Sequence, residues 1–270
     1  MADTDKIMQC ETAFVTGGGS GIGLALAETL ARRGARVAAF DLGFSDAARA
    51  RLRKVCQEAL FFEVDVRDAA GVEAAVSKAV EQIGPPDVAI NSAGVQVARP
   101  FLEISSERYD FVVDINLKGS RNFAAAVLPH MRSGGHLALV ASIAGVVSNY
   151  GYAAYSSSKF GVVGLASALR IECKAQGIVV SAICPPEVPT PMVDEERRTA
   201  PAVTMQTKQF AGTVTLPDLC TQVMRGLERG QFMIVPGSWR ARFTVFLART
   251  FPRLLARITD RMVAQGLRTH

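Results

Sequence analysis

The sequence has few of the residues that build metal or disulfide frameworks. Its 270 residues include three histidines and five cysteines. Cys10, Cys56, Cys173, Cys184 and Cys220 are scattered singly, with no Cys-x-x-Cys pair and no histidine close enough to complete a zinc site. That spacing excludes a zinc framework, so no metal is expected, and the cysteines read as reduced cytosolic thiols. Charged residues are only 20% of the chain and apolar ones 49%, which excludes extended disorder and suits a large buried sheet. The first ten residues carry Asp3, Asp5 and Lys6 and lack the apolar run and small-residue cleavage pattern of a signal peptide. A cytoplasmic protein is therefore expected. No repeat, low-complexity tract or linker divides the chain. One catalytic domain is expected over residues 1–237, with residues 238–270 as its C-terminal extension.

Apolar runs of strand length alternate with stretches of helical period from the start. Strands are expected at Thr12 to Thr16, Arg36 to Phe40, Leu60 to Val64, Asp87 to Ile90, Gly135 to Ala141 and Ile178 to Ile183. Between them, helices are expected at Ile22 to Arg33, Asp46 to Gln57, Ala69 to Ile83, Ser105 to Met131 and Tyr152 to Gln176. This order predicts an α/β fold: a Rossmann-like, doubly wound, mostly parallel sheet with helices on both faces. From residue 185 to 215 the pattern breaks. Pro185, Pro186, Pro189, Pro191 and Pro201 oppose regular structure, and Glu195, Glu196, Arg197 and Arg198 suggest a short exposed helix in a functional loop.

Gly17, Gly18, Gly19, Ser20, Gly21, Ile22 and Gly23 follow the first strand and open the first helix. In that context a glycine run is a phosphate-binding turn, because the glycines allow close backbone approach and the helix N-terminal amides face the anion. Asp41 ends the second strand about twenty residues on, where a carboxylate accepts bonds from the adenosine ribose. A 2′-phosphate there meets like charge, so NAD is expected as the cofactor. Asp65 follows the third strand. Asn91, Ser92, Ala93 and Gly94 close the fourth, with small residues suited to a passing ribose.

Tyr155 and Lys159 are four apart in a helical stretch and emerge on one face. A free phenol titrates near ~10. A neighbouring ammonium together with an oxidised nicotinamide ring lowers that value, and Tyr155 then shuttles a proton. Ser142 ends the fifth strand at the ligand-binding edge of the sheet, placed to orient a carbonyl. Asn116 lies inside a long helix, where an amide is a mediocre helix former suited to a local kink.

Taken together these motifs resemble the short-chain dehydrogenase/reductase family, in its compact single-domain branch. The resemblance rests on Thr16-Gly-x-x-x-Gly21-x-Gly23, Asp65, Asn91-x-Ala93-Gly94, Asn116, Ser142, Tyr155-x-x-x-Lys159 and Pro185 through Thr190. It implies Tyr155 as acid/base, Lys159 on the nicotinamide ribose, Ser142 polarising the carbonyl and Asn116 holding a relay water. It further implies Val66, Pro185, the backbone at Val188, and Thr190 as cofactor contacts, and a homodimer or homotetramer. Ser92 and Pro186 depart from the family's usual Asn and Gly. Residues 185–191 are similar to the same segment of 3-ketodihydrosphingosine reductases, which commonly use NADPH, whereas Asp41 points to NAD.

After Pro236 and Gly237, Trp239, Phe243, Phe246, Leu247, Phe251, Leu254, Leu255, Ile258 and Met262 recur near helical spacing among arginines, interrupted at Pro252. Two amphipathic helices are expected over 239–267. Three readings stay open: packing on the domain or a second subunit, peripheral membrane contact, or docking of an acidic carrier protein. The arginines exclude a spanning helix, and no base-reading motif supports a nucleic-acid partner. The expected activity is NAD-dependent interconversion of a secondary alcohol and a ketone on a hydrophobic small molecule, lipid-like or steroid-like. The alternatives are a 3-oxoacyl thioester or 3-ketosphinganine reductase, and a dinucleotide-binding scaffold without turnover.

Overall fold

Alternating side chains of the strands feed two different cores. In β1 (Thr12–Thr16), Ala13 and Val15 face one side while Phe14 faces the other. In β2 (Arg36–Asp41), Val37 and Ala39 join the first set, and Ala38 and Phe40 the second. Strands buried on both faces need helices on both, which parallel crossovers supply. The computed structural model describes residues 10–208 and 210–268. The N-terminal stretch read as lacking a signal peptide lies outside the described residues, apart from Cys10.

The sheet continues with β3 (Leu60–Glu63), β4 (Val88–Asn91), β5 (His136–Val140), β6 (Val179–Ile183) and β7 (Met233–Ile234). All seven strands are parallel, in the order β3-β2-β1-β4-β5-β6-β7. One face carries α1 (Gly21–Arg32), α2 (Asp46–Val55) and a helix that the sequence pattern missed, Leu216–Glu228. The other carries α3 (Ala69–Ile83), α5 (Gly119–Val127) and α6 (Ala153–Glu172). α4 (Ser106–Val113) leads into α5 through a π-turn at Asp114–Lys118, so the expected long helix contains the irregularity at Asn116.

The proline-rich region bears out a helix at Glu195 to Arg198 and corrects the expectation of irregular structure around it. It holds α7 (Pro191–Thr199) and α8 (Ala202–Lys208), followed by the missed helix, now α9 (Leu216–Glu228). Pro191 sits in the first turn, where its missing N–H and fixed φ favour a helix start. The tail forms α10 (Trp239–Thr250) and α11 (Pro252–Arg268), with Pro252 again opening a helix.

At the start of β5, His136 is fully buried and its Nε2 lies 2.7 Å from Ser181 Oγ. Ser181 gives its own proton to Gln231 O at 2.6 Å, so it accepts from His136, which is therefore the Nε2–H tautomer. Nδ1 is buried without a partner. Burial pushes the imidazole down to about 3. With the folded value below the unfolded one, the unfolded chain binds the extra proton, and stability falls as pH drops below about 6.5. Urea unfolding is expected to show the wild type losing about 2 kcal/mol more than His136→Gln between about pH 7.5 and pH 5. Equal losses would contradict the tautomer and burial argument.

Candidate active site

The carboxyl ends of β1, β4, β5 and β6 open into one cleft, where the strand order reverses between β1 and β4. Behind β1, the backbone leaves no room for side chains. A Cβ on Gly23 would lie 2.1 Å from Gly17 O, and one on Gly17, whose φ is +66°, would lie 2.8 Å from the Ser92 carbonyl carbon. Ser20 precedes α1 without capping it through its side chain, and Ser20, Gly21, Ile22 and Gly23 line the cleft. Uncapped first-turn amides beside a glycine cradle suit an anion such as a pyrophosphate.

At the end of β2, the Asp41 carboxylate accepts Gly19 N at 2.8 Å and Leu42 N at 2.8 Å. It is held rigidly on the cleft wall. Asp65 and Val66 line the same end. Arg67 bonds Asp65 at 2.5 Å and holds its carboxyl below the usual range. Among the described residues lining the cleft the cations are Lys159 and Lys208, with no arginine. Lys208 is taken up by Glu187, at 2.8 Å, and by Glu196.

Three predicted residues stand behind the cleft wall. Gly19 supports Asp41 as described. Asn91 is buried, accepting Thr16 Oγ1 at 2.7 Å and donating to Ser120 Oγ at 2.8 Å. Asn116, in the π-turn, donates to Val95 O and Ser158 Oγ, both at 2.9 Å, and accepts Val95 N at 2.8 Å. Its side chain is fully engaged. Its main-chain carbonyl accepts the Ser120 hydroxyl at 2.5 Å. Ser120 and Ser158 were not singled out from the sequence, since a serine at helical spacing carries no signal of its own.

Ser142, Tyr155 and Lys159 meet in the cleft beside Ala93, Gly94, Pro185, Val188 and Thr190. Burial pushes the Tyr155 phenol up to about 12, and a hydrogen bond from Ser142 works against that rise. With the protein's groups alone Tyr155 keeps its proton, and the lowering expected from the neighbouring Lys159 is not seen. Lys159 Nζ donates to Val140 O at 3.0 Å and lies 5.8 Å from the Tyr155 ring centre. Burial pushes it down to about 8.

Tyr152 packs edge-on against Tyr155, with ring centres 5.4 Å apart. Its hydroxyl donates to Glu196 and accepts from Gln96 Nε2 at 2.8 Å. Glu196 corrects the exposed-helix expectation: it is buried, because α7 turns it inward to Tyr152 and Lys208. Arg197 bonds Glu187 at 2.5 Å and joins the same network. The remaining wall is largely apolar. Leu255, Ile258 and Met262 of α11 line the cleft, and Gly266 of that helix packs against Val203 of α8. The helical period of these tail residues was legible, but their target was not.

The short chain dehydrogenase family model matches residues 11–201, and the chain belongs to that family. It is 41% identical over 232 residues to a 3-dehydrosphinganine reductase of Arabidopsis thaliana, covering 82% of this chain and 69% of the relative. Oxidoreductase UcpA of Salmonella typhimurium is 39% identical over 198 residues, covering 70% and 73%. A short chain dehydrogenase/reductase from Burkholderia phymatum, solved in complex with NAD, superposes with a TM-score of 0.76 at 26% identity, covering 88% of this chain and 92% of that one.

The cradle makes a direct prediction. Gly23→Ala is expected to lower NADH affinity more than tenfold in fluorescence titration, because backbone must move to admit the methyl group. Gly164→Ala, where a Cβ meets nothing within 4 Å, is expected to bind as wild type. Equal affinities in the two variants would mean that the turn does not carry the cofactor.

Proposed function

We propose that the protein is an NAD(H)-dependent reductase of a ketone on a long-chain lipid, of the 3-ketosphinganine type. The observation that carries this reading is the Ser142 and Tyr155 pair in a cleft whose outer wall is the apolar face of α11. The wall favours a lipid chain over a small polar ketone, and the Arabidopsis relative bears the name of such a reductase.

In this reading the cofactor supplies the hydride that adds to the carbonyl carbon. Tyr155 donates its phenolic proton to the carbonyl oxygen, and its raised value keeps that proton in place until it is needed. Ser142 orients the carbonyl. Lys159, charged below about 8, holds the ribose and stabilises the phenolate left on Tyr155. Asn116, in the π-turn behind the wall, holds the relay water that restores the proton. Asp41, with no arginine nearby on the cleft wall, favours a free ribose hydroxyl over a 2′-phosphate. The solved neighbour in complex with NAD supports the same choice.

The activity is tested by NADH oxidation with 3-ketosphinganine and shorter homologues. kcat/KM is expected to rise roughly fourfold per added methylene until the groove is filled, from ~0.8 kcal/mol per buried CH₂. Tyr155→Phe should lose about 10²- to 10⁴-fold in kcat while binding NADH normally. Tight NADH binding with no turnover by the wild type on this series would overturn the reading.

Coenzyme choice is tested separately. Asp41→Asn keeps an acceptor for Gly19 N but removes the charge, so the ratio of NADPH to NADH kcat/KM should rise about tenfold or more. An unchanged ratio would show that Asp41 does not discriminate.

A further inference from the structure

α10 is apolar on two opposite sides. Ala241 and Val245 are buried against Ile143, Val147 and Val235. On the reverse side, Trp239, Phe243 and Phe246 follow at helical spacing and are 71%, 43% and 53% exposed. The row continues past the helix end through Phe251 and Leu254, 51% and 50% exposed. Successive rings touch, with centres 6.1 Å, 6.4 Å and 6.2 Å apart from Trp239 to Phe251. A surface helix ordinarily turns its second face to water with polar residues; this one presents a continuous aromatic ridge.

The charge around the ridge says what covers it. Arg240, Arg242 and Arg249 of α10 and Arg253, Arg257, Arg261 and Arg268 of α11 are all exposed, and Asp260 is the single acid between residues 239 and 268. A second copy placed about a twofold axis would set these arginines against each other. An anionic surface with an apolar interior satisfies both features, since rings enter the acyl boundary while guanidinium groups stay on phosphates. α10 is 12 residues long, about 18 Å, and no helix among the described residues is long and apolar enough to cross a membrane. An in-plane contact is the geometry left.

We infer that the ridge from Trp239 to Leu254 docks the protein on an anionic lipid bilayer. The α10–α11 pair then has two jobs, because α11 also turns Leu255, Ile258 and Met262 into the cleft. A lipid ketone would reach Tyr155 past the same helices that rest on the bilayer. That consequence depends on the proposed substrate, whereas the docking itself does not.

Trp239 is the one tryptophan in the chain, so its emission reports on the ridge alone. The full-length protein is mixed with phosphatidylcholine vesicles with and without phosphatidylglycerol, and followed by Trp239 fluorescence and co-sedimentation. Binding to the anionic vesicles with a blue shift is expected, weakened more than tenfold by Phe243→Ser/Phe246→Ser and likewise by Arg253→Gln/Arg257→Gln/Arg261→Gln. These positions are exposed, and NADH titration of each variant checks that it is folded. An unmoved emission spectrum with protein left in the supernatant would overturn the proposal, as would undiminished vesicle binding by the double serine variant. So would light scattering that showed the ridge substitutions splitting a dimer while the wild type ignored vesicles. Neither readout needs turnover, so a failure here is distinct from a failure of the ketone reductase reading.

Discussion

A buried relay of hydrogen bonds ties the start of the glycine turn to Tyr155, and the geometry of the cleft depends on it. Thr16 Oγ1 donates to Asn91 Oδ1 while accepting from Ser92 N and Ala93 N. Asn91 donates to Ser120, Ser120 to the carbonyl of Asn116, and Asn116 to Ser158. Ser158 ends the chain on the carbonyl of Tyr155 at 2.7 Å. Each hydroxyl donates once, so the protons are ordered in one direction from β1 to α6. Breaking one link strands buried partners at a cost of about 1–3 kcal/mol each, more than a single exposed contact is worth. Thr16, which leads into the glycine turn, and Tyr155, 139 positions apart in sequence, are thereby held as parts of one rigid object.

The parallel sheet sets the same object in place from below. With every strand pointing the same way, the turns after β1, β4, β5 and β6 gather at one edge, and the reversal of strand order opens the crevice between them. Ser142 lies where it does because β5 ends at Val140, and Pro185 because β6 ends at Ile183. The walls that rise above this edge are of a different kind. α7 and α8 are held by the half-buried carboxylate of Glu187 and the buried one of Glu196 around Lys208, while α11 closes the remaining side mainly with apolar residues. Burial opposes the charge on Glu187, but Lys208 and Arg197 offset it and hold its carboxyl below the usual range.

The sheet and the glycine turn were legible because period and punctuation are local properties: Phe14 and Val15 read as strand, Gly17 to Gly23 as turn, without knowing their neighbours. Tyr155 and Lys159 were legible through spacing on one helix. β7 was not, since Met233 and Ile234 make a two-residue strand with no period to detect. α7 was legible only as a short helix at Glu195 to Arg198, because Pro191 reads as a breaker until its place at the helix start is known. Glu196 looked solvated beside Glu195, Arg197 and Arg198, and its burial depends on Tyr152, 44 residues earlier. The double face of α10 was visible as a run of aromatics, but only the packed structure separates Val245, turned inward, from Phe246, turned out.

The central claim is that the cleft joins a dinucleotide at the glycine turn to a ketone at Tyr155. Product analysis after reduction of 3-ketosphinganine with NADH deuterated on one or the other face of nicotinamide C4 tests it most directly. Mass spectrometry is predicted to find one deuterium at C3 of the alcohol from one of the two labelled cofactors and none from the other. Alcohol formed without deuterium from either cofactor would contradict the account.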